Sequence, residues 1–395
     1  MTFPVIGVVG GGQLARMMAP PATALGFELR VLAEGQDVSA VAAVASAPVG
    51  DYKDLQTLLD FSRGVDVLTF DHEHVPTDHL RALLDAGVNV QPGPDALVNA
   101  QDKLVMRAAI DRLGLPNPEW AAVGSVEELV SFGDRIGWPV VLKTPRGGYD
   151  GKGVRMVDSA EEAADTADWF AAMSPLLAEA KVEFSRELSA LVARTPSGEA
   201  RAWPVVHTIQ VDGVCDEVIA PAQDISVEVA AAAEEAALRI ANELGVTGVM
   251  AAELFETPGV GAGFLINELA MRPHNTGHWT QDGSITSQFE QHLRAVLDLP
   301  LGATDALAPV TVMKNFLGGE NQDLFSAFPM ALNYEPAAKV HSYGKSVRPG
   351  RKIGHVNLVG TSAAEVDSVR QRATAVANII RDGRMPERTT LEESV

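Results

Sequence analysis

The first hundred positions alternate between apolar, β-rich runs and amphipathic ones. Residues 5–10 (VIGVVG), 27–33 (FELRVLA), 65–70 (VDVLTF) and 88–93 (VNVQPG) read as strands. Residues 11–26 (GGQLARMMAPPATALG), 54–64 (DLQTLLDFSRG) and 78–87 (DHLRALLDAG) carry apolar side chains at helical spacing. Strands separated by helices predict βαβ units and a parallel, doubly wound sheet.

The rhythm changes after Pro94. Residues 94–114 read as one helix closed by Gly114, followed by a proline-marked link, LPNPEW. Residues 138–157 read as strand, glycine-rich loop, strand. Residues 181–195 and 200–213 read as antiparallel strands, and 248–257 and 263–269 as another pair. Past about residue 305, short strands flank a basic turn, a helix runs from about Ala363 to Arg381, and a polar tail follows. The fold class expected is therefore α/β at the start and α+β beyond.

A length of 395 residues suggests two or three domains. A net charge of −21 argues against nucleic acid or an anionic membrane as a partner. An anionic ligand must then be met by a local cluster of Lys and Arg. One cysteine, Cys215, allows no internal disulfide and fits a reducing, cytoplasmic setting. The start of the chain has no secretory pattern, and no apolar run reaches the roughly 18 residues of a membrane span.

Two glycine loops carry candidate chemistry. Gly10-x-Gly12-x-x-Ala15 sits between a strand and a helix, with the acidic Glu34 downstream. That pattern suits either a dinucleotide or phosphate at a helix N-terminus, or simply a tight strand-to-helix turn. The second loop, KTPRGGYDGKGV, has Lys143 at a strand end, then Gly147, Gly148, Gly151 and Gly153 around Lys152. Glycines permit close backbone approach to a polyphosphate while the lysines neutralise it. Downstream, Glu253 and Glu268 lie on adjacent candidate strands with Asn267 beside the second. Two carboxylates and an amide oxygen make a hard-oxygen site suited to Mg²⁺, or Mn²⁺, bridging phosphates. The segment 267–281 (NELAMRPHNTGHWTQ) then gathers Arg272, His274, Asn275, His278 and Trp279.

Lys103, Lys143, the glycine loop, Glu253 and Asn267–Glu268 occur in the order of the ATP-grasp superfamily. More closely, GGGQLARM, KTPRGGYDGKG, NELAMRPHNTGHWT and VRPGRKIGHVNL together resemble the N5-carboxyaminoimidazole ribonucleotide synthase family of purine biosynthesis. These motifs span residues 7 to about 358. The resemblance implies a Rossmann-like domain over 1–98, an ATP-grasp over 99–300 with a lid at about 118–185, and a small C-terminal β domain over 301–395. It implies a cytoplasmic homodimer that consumes ATP and bicarbonate to carboxylate 5-aminoimidazole ribonucleotide through carboxyphosphate, with ADP and phosphate as the other products.

The resemblance also carries roles. Lys103, which stands where an Arg is more usual, and Lys143 contact the ATP phosphates. Gly148, Tyr149, Asp150, Gly151, Lys152, Gly153 and Val154 cover them. Glu179, Ala180, Lys181 and Val182 form the adenine hinge, Glu187 holds the ribose and His207 lies near the nucleotide. Glu253 and Glu268 carry the metal, with Asn267 alongside. Arg272, His274 and Asn275 handle bicarbonate and its activated form; His274 shuttles or orients a proton, because an imidazole titrates near pH 6.5. His278 and Trp279 serve as support and packing. The ribonucleotide meets Gly12, Gln13, Leu14, Glu73 and Tyr149, and its phosphate meets Lys345, Arg348, Arg351 and Lys352, with Lys345 and Arg351 foremost. Relatives carry an acidic-aromatic-acidic pattern where this chain has Asp71-His72-Glu73. Competing readings are a formate-dependent glycinamide ribonucleotide transformylase, a nicotinamide-dependent oxidoreductase on the first glycine turn, and a non-catalytic nucleotide-binding module.

Overall fold

The computed structural model describes residues 3–148 and 153–385. Strands β1 (Val5–Val9), β2 (Glu28–Leu32) and β3 (Val67–Phe70) form a parallel sheet in the order β2-β1-β3. Helices α1 (Gln13–Leu25), α2 (Leu55–Phe61) and α3 (Thr77–Asp85) supply its connections. The expected fourth strand shrinks to one parallel bridge, Leu68 to Val90. Pro92 has no N–H to donate, so pairing ends after two backbone hydrogen bonds.

The helix expected over 94–114 is two helices, α4 (Pro94–Gln101) and α5 (Lys103–Arg112). Asp102 between them is extended, and its carboxylate accepts from Leu104 N and Val105 N. An Asp cap of this kind stabilises a helix start by roughly 1 kcal/mol. The restart places Lys103 at the first turn of α5, where its own N–H donates to Pro145 O.

Strands β4 (Trp120–Val123), β5 (Val140–Lys143), β6 (Val154–Val157) and β7 (Leu176–Ala180) make a separate antiparallel sheet in the order β4-β7-β5-β6. Helix α6 (Val126–Ile136) covers one face through Leu129 and Phe132. This unit falls within the lid expected at 118–185.

The remaining strands are β8 (Arg186–Arg194), β9 (Ala200–Ala202), β10 (Val206–Val211), β11 (Val214–Ala220), β12 (Gly248–Glu256), β13 (Phe264–Ala270), β14 (Val310–Leu317), β15 (Lys339–Ser342) and β16 (Lys352–Gly360). They form one nine-stranded sheet in the order β13-β12-β8-β10-β11-β14-β16-β15, with β9 on β8. The C-terminal strands thus continue the central sheet through the β11–β14 pair. The helix Val227–Glu243 packs Ala233, Ala237 and Ile240 against Leu188, Leu254 and Ile266. The helix Gln288–Val296 joins the N-terminal core through Phe289 and Leu293, beside Ile6, Val8 and Met18. Each such large apolar side chain contributes roughly 1.5–3 kcal/mol on burial. His292 on the same helix bonds Thr69 of β3 at 2.9 Å and the N–H of Val249 of β12 at 3.0 Å. The parallel sheet is thereby held against the central one, with a cleft between them and the lid.

Candidate active site

The cleft has a volume of about 840 Å³. Strands β12 and β13 supply its floor. Their register runs Ala252↔Leu269, Glu253↔Glu268 and then Leu254↔Ile266, so Asn267 is an extra residue in β13. Side chains alternate in a regular strand, but a bulge breaks the alternation. Asn267 and Glu268, consecutive in sequence, therefore both line the cavity, opposite Glu253. Glu253 is pushed up to about 8, chiefly by burial and then by the like charges of Glu268 and Glu187.

The expected phosphate lysines converge here. Lys103 Nζ lies 2.9 Å from Glu268 Oε1. Lys143 Nζ lies 2.7 Å from Glu179 Oε2 and 3.4 Å from Asn267 Oδ1. Burial opposes ionisation of Glu179, but Lys143 and Arg107 overcome it and hold its carboxyl below the usual range. Glu179 directs its side chain to these cations, and with Ala180, Lys181 and Val182 it lines the cavity wall. Glu187 on β8 also lines the cavity, its carboxyl raised by burial. Val154 and Gly148 line the lid side, while Gly153 sits in the turn beneath, its carbonyl accepting from Thr144 N–H at 3.0 Å. Tyr149, Asp150, Gly151 and Lys152 lie outside the described residues.

At the other end of the floor, Arg272 Nε pairs with Glu73 Oε2 at 2.7 Å. His274 Nδ1 lies 2.9 Å from Thr276 Oγ1 and 3.4 Å from Thr276 N, and its Nε2 lies 3.3 Å from Glu253 Oε1. Burial, then Arg272 and Lys352, push His274 down to about 3. That direction favours a neutral ring over one titrating near pH 6.5. Asn275 lines the same wall. Gln288 fixes this loop. Its Oε1 accepts from His274 N, and its Nε2 donates to His274 O and to His278 Nδ1. His278 and Trp279 are fully buried behind it, as the support reading expected.

The α1 turn closes the cleft opposite the lid. Its N–H groups do not await a dinucleotide. Leu14 N and Ala15 N both donate to Asp71 Oδ1, and Gly11 N donates to Glu34 Oε2. A Cβ at position 12 would lie 2.0 Å from Asp71 Oδ2, so only glycine fits this turn. An internal carboxylate holds the place a pyrophosphate would need, which removes the nicotinamide reading. Gly12, Gln13, Leu14 and Glu73 line the cavity, with Lys345, Arg351 and Lys352 facing them. Lys345 Nζ donates to Gln13 Oε1, and Arg351 Nη1 donates to Ser346 Oγ at 2.8 Å. The His72 ring lies tilted against Tyr52, centroids 4.5 Å apart, and is not part of the cavity lining, so this departure from the family pattern falls behind the wall.

Besides Gly153, two expected residues are not brought to the cavity. His207 pairs with Leu188 while Glu187 pairs with Thr208, which turns His207 to the opposite sheet face, near Arg186. Arg348 is exposed and does not line the cavity. Sequence reasoning missed Asp71, Arg107, Gln288 and the apolar slot of Val141, Met156, Phe184 and Phe255. Phe184 and Phe255 stack at 4.5 Å. In the sequence these apolar residues match ordinary core positions. A charged side chain among buried positions 106, 109 and 110 was the available signal for Arg107.

The donor set fits a hard divalent cation. Glu253, Glu268 and the amide oxygen of Asn267 adjoin, and Glu253 is raised first by burial and then by the like charges of Glu268 and Glu187, a crowding that a cation would relieve. No cluster of three or more His, Cys, Asp or Glu suited to a metal occurs among the described residues. A cation held by two carboxylates then needs substrate phosphates to complete its shell, as Mg²⁺ commonly does.

A lysine-lined lid over a bulged acidic strand defines an ATP-grasp ligase. Residues 108–289 match the ATP-grasp domain, 3–101 the ribonucleotide synthetase preATP-grasp domain, and 311–369 the phosphoribosylaminoimidazole carboxylase C-terminal domain. The N5-carboxyaminoimidazole ribonucleotide synthase of Corynebacterium ammoniagenes is 50% identical over 383 residues, covering 96% of this chain and 92% of that one. The crystal structure of N5-carboxyaminoimidazole ribonucleotide synthetase from Thermus thermophilus superposes with a TM-score of 0.85 at 36% identity, covering 94% and 98% of the two chains. That of N5-carboxyaminoimidazole synthase from Aspergillus clavatus, in complex with ADP and 5-aminoimidazole ribonucleotide, gives 0.85 at 29% identity, covering 95% and 99%. The chain belongs to the N5-carboxyaminoimidazole ribonucleotide synthase family.

Proposed function

We propose that this chain carboxylates 5-aminoimidazole ribonucleotide with bicarbonate at the expense of ATP, giving N5-carboxyaminoimidazole ribonucleotide, ADP and phosphate. The observation that carries this reading is one continuous cavity. At one end stand the lysines, hinge and acidic strand of a nucleotide site; at the other stand Gln13, Lys345 and Arg351; Arg272 lies on the floor between. A relative of known structure holds ADP and the ribonucleotide together, and this cavity has room for both kinds of group.

Lys103 and Lys143 hold the triphosphate, while residues 179–182 present backbone groups to adenine between the apolar walls of Val141 and Phe255. Glu253, Glu268 and Asn267 would hold Mg²⁺, which would supply charge neutralisation for the triphosphate. Arg272, kept in place by Glu73, holds bicarbonate in line with the γ-phosphoryl group. Such transfer depends on positioning and charge more than on covalent help. The bicarbonate oxygen takes the γ-phosphoryl group as ADP leaves, giving carboxyphosphate; the exocyclic amine of the ribonucleotide then bonds to its carbon, the carbon–oxygen bond to phosphate breaks, and the leaving phosphate takes up the amine proton. His274, neutral and 3.3 Å from Glu253, orients the carboxylate side of the site. Lys345 and Arg351 clamp the ribonucleotide phosphate, so the amine is delivered to Arg272.

The test compares phosphate release with 5-aminoimidazole ribonucleotide plus bicarbonate against glycinamide ribonucleotide plus formate. Stimulation by the first pair alone is expected. Stimulation by the second pair only would assign the chain to formate-dependent chemistry instead.

A further inference from the structure

The bulge that presents Asn267 and Glu268 is itself held by one buried side chain. Arg107 on α5 is 0% exposed. Its Nη1 donates to Ile266 O at 2.7 Å and to Asn117 Oδ1 at 2.9 Å, and its Nη2 donates to Asn267 O at 2.9 Å. Its Nε donates to Glu179 Oε1. In a regular strand successive carbonyls point to opposite sides. Here the carbonyls on both sides of the register shift reach one guanidinium, because the extra residue turns the chain. The same guanidinium grips the carboxylate that starts the hinge, and that carboxylate grips Lys143 of the lid. Asn117, which orients the fork, also donates from Nδ2 to Arg107 O at 3.1 Å.

We propose that Arg107 is a positioning residue that sets the spacing between the nucleotide hinge and the acidic strand, so that a nucleotide and a divalent cation bind in register. It touches neither ligand. The inference rests on the nucleotide site proposed above. A simpler role would be to neutralise Glu179 so that its charge can be buried. The two roles differ for lysine. An ammonium keeps the charge beside Glu179, but it lacks the planar fork needed to reach a carboxylate and two carbonyls together.

The experiment is titration calorimetry of the full chain with ADP, with and without Mg²⁺, in wild type and Arg107→Lys. The quantity read is the factor by which Mg²⁺ tightens ADP. A fall of at least fivefold in that factor, with a cooperative melting transition retained, is expected for Arg107→Lys. A factor within twofold of wild type would overturn the positioning role and leave the nucleotide site standing. A wild-type chain that binds no ADP would overturn both. If Arg107→Lys does not fold, Asn117→Ala decides. It removes one partner of the fork, and a fall of at least twofold is expected; an unchanged factor overturns the inference.

Discussion

Replacing Arg272 by methionine removes the positive charge from the floor between the two ends of the cavity. A charge about 4 Å from the developing anion, at an effective dielectric near 20, is worth about 4 kcal/mol. At 1.36 kcal/mol per decade, the expected loss in kcat/KM is about a thousandfold. The substitution also strands Glu73, whose side chain is only 3% exposed and which pairs with Arg272 at 2.7 Å. Breaking one side of a buried pair costs roughly 3–5 kcal/mol of stability, so lost activity alone would not separate chemistry from folding. The double variant Arg272→Met with Glu73→Gln removes both charges. It should recover the melting temperature and stay catalytically poor. Arg272→Lys keeps the charge but loses the geometry of the Nε contact, and should lie between, about ten- to a hundredfold below wild type. The assay is phosphate release at saturating ATP and ribonucleotide with bicarbonate varied. A double variant that melts normally and turns over within tenfold of wild type would refute the placement of bicarbonate on Arg272.

Three further outcomes follow from the geometry. Glu268→Gln should abolish turnover and free Lys103 from its 2.9 Å partner; full activity at ordinary Mg²⁺ would contradict the metal role. Arg351→Ala should raise the KM for the ribonucleotide at least tenfold and leave ADP affinity within twofold, because Arg351 lines the end remote from the hinge; the reverse pattern would move the phosphate clamp elsewhere. His292, pushed down to about 3 by burial, stays neutral in the folded chain while the unfolded chain protonates near pH 6.5. Its folded pKa is the lower one, so its contribution is present above pH 6.5 and is lost as pH falls toward 3. Urea melts should show an acid slope of about 1.4 kcal/mol per pH unit from this group, absent in His292→Gln.

Much of this protein was legible in the chain itself. Alternating apolar runs dictated the parallel sheet, because strand and helix periods are local properties of the pattern. The order Lys103, Lys143, Glu253, Glu268 pointed to the ATP-grasp class, since a polyphosphate needs cations and a metal needs hard oxygens, and all four line one cavity. What only the tertiary structure decided was direction and pairing. Asn267 and Glu268 face one cavity because of a one-residue bulge whose carbonyls are held by Arg107, more than 150 residues earlier. His207 faces away because its register partner on β8 is Leu188 and not Glu187. The α1 turn matched a dinucleotide fingerprint, yet Asp71, brought in by β3, occupies its N–H groups. His274 sits in a suggestive motif, but burial and then Arg272 and Lys352 push its pKa down, which the motif alone does not reveal. Residue types and their local periods are written along the chain. Strand register, burial and the partners of a charge arise from contacts between distant segments, so they appear only when the chain is folded.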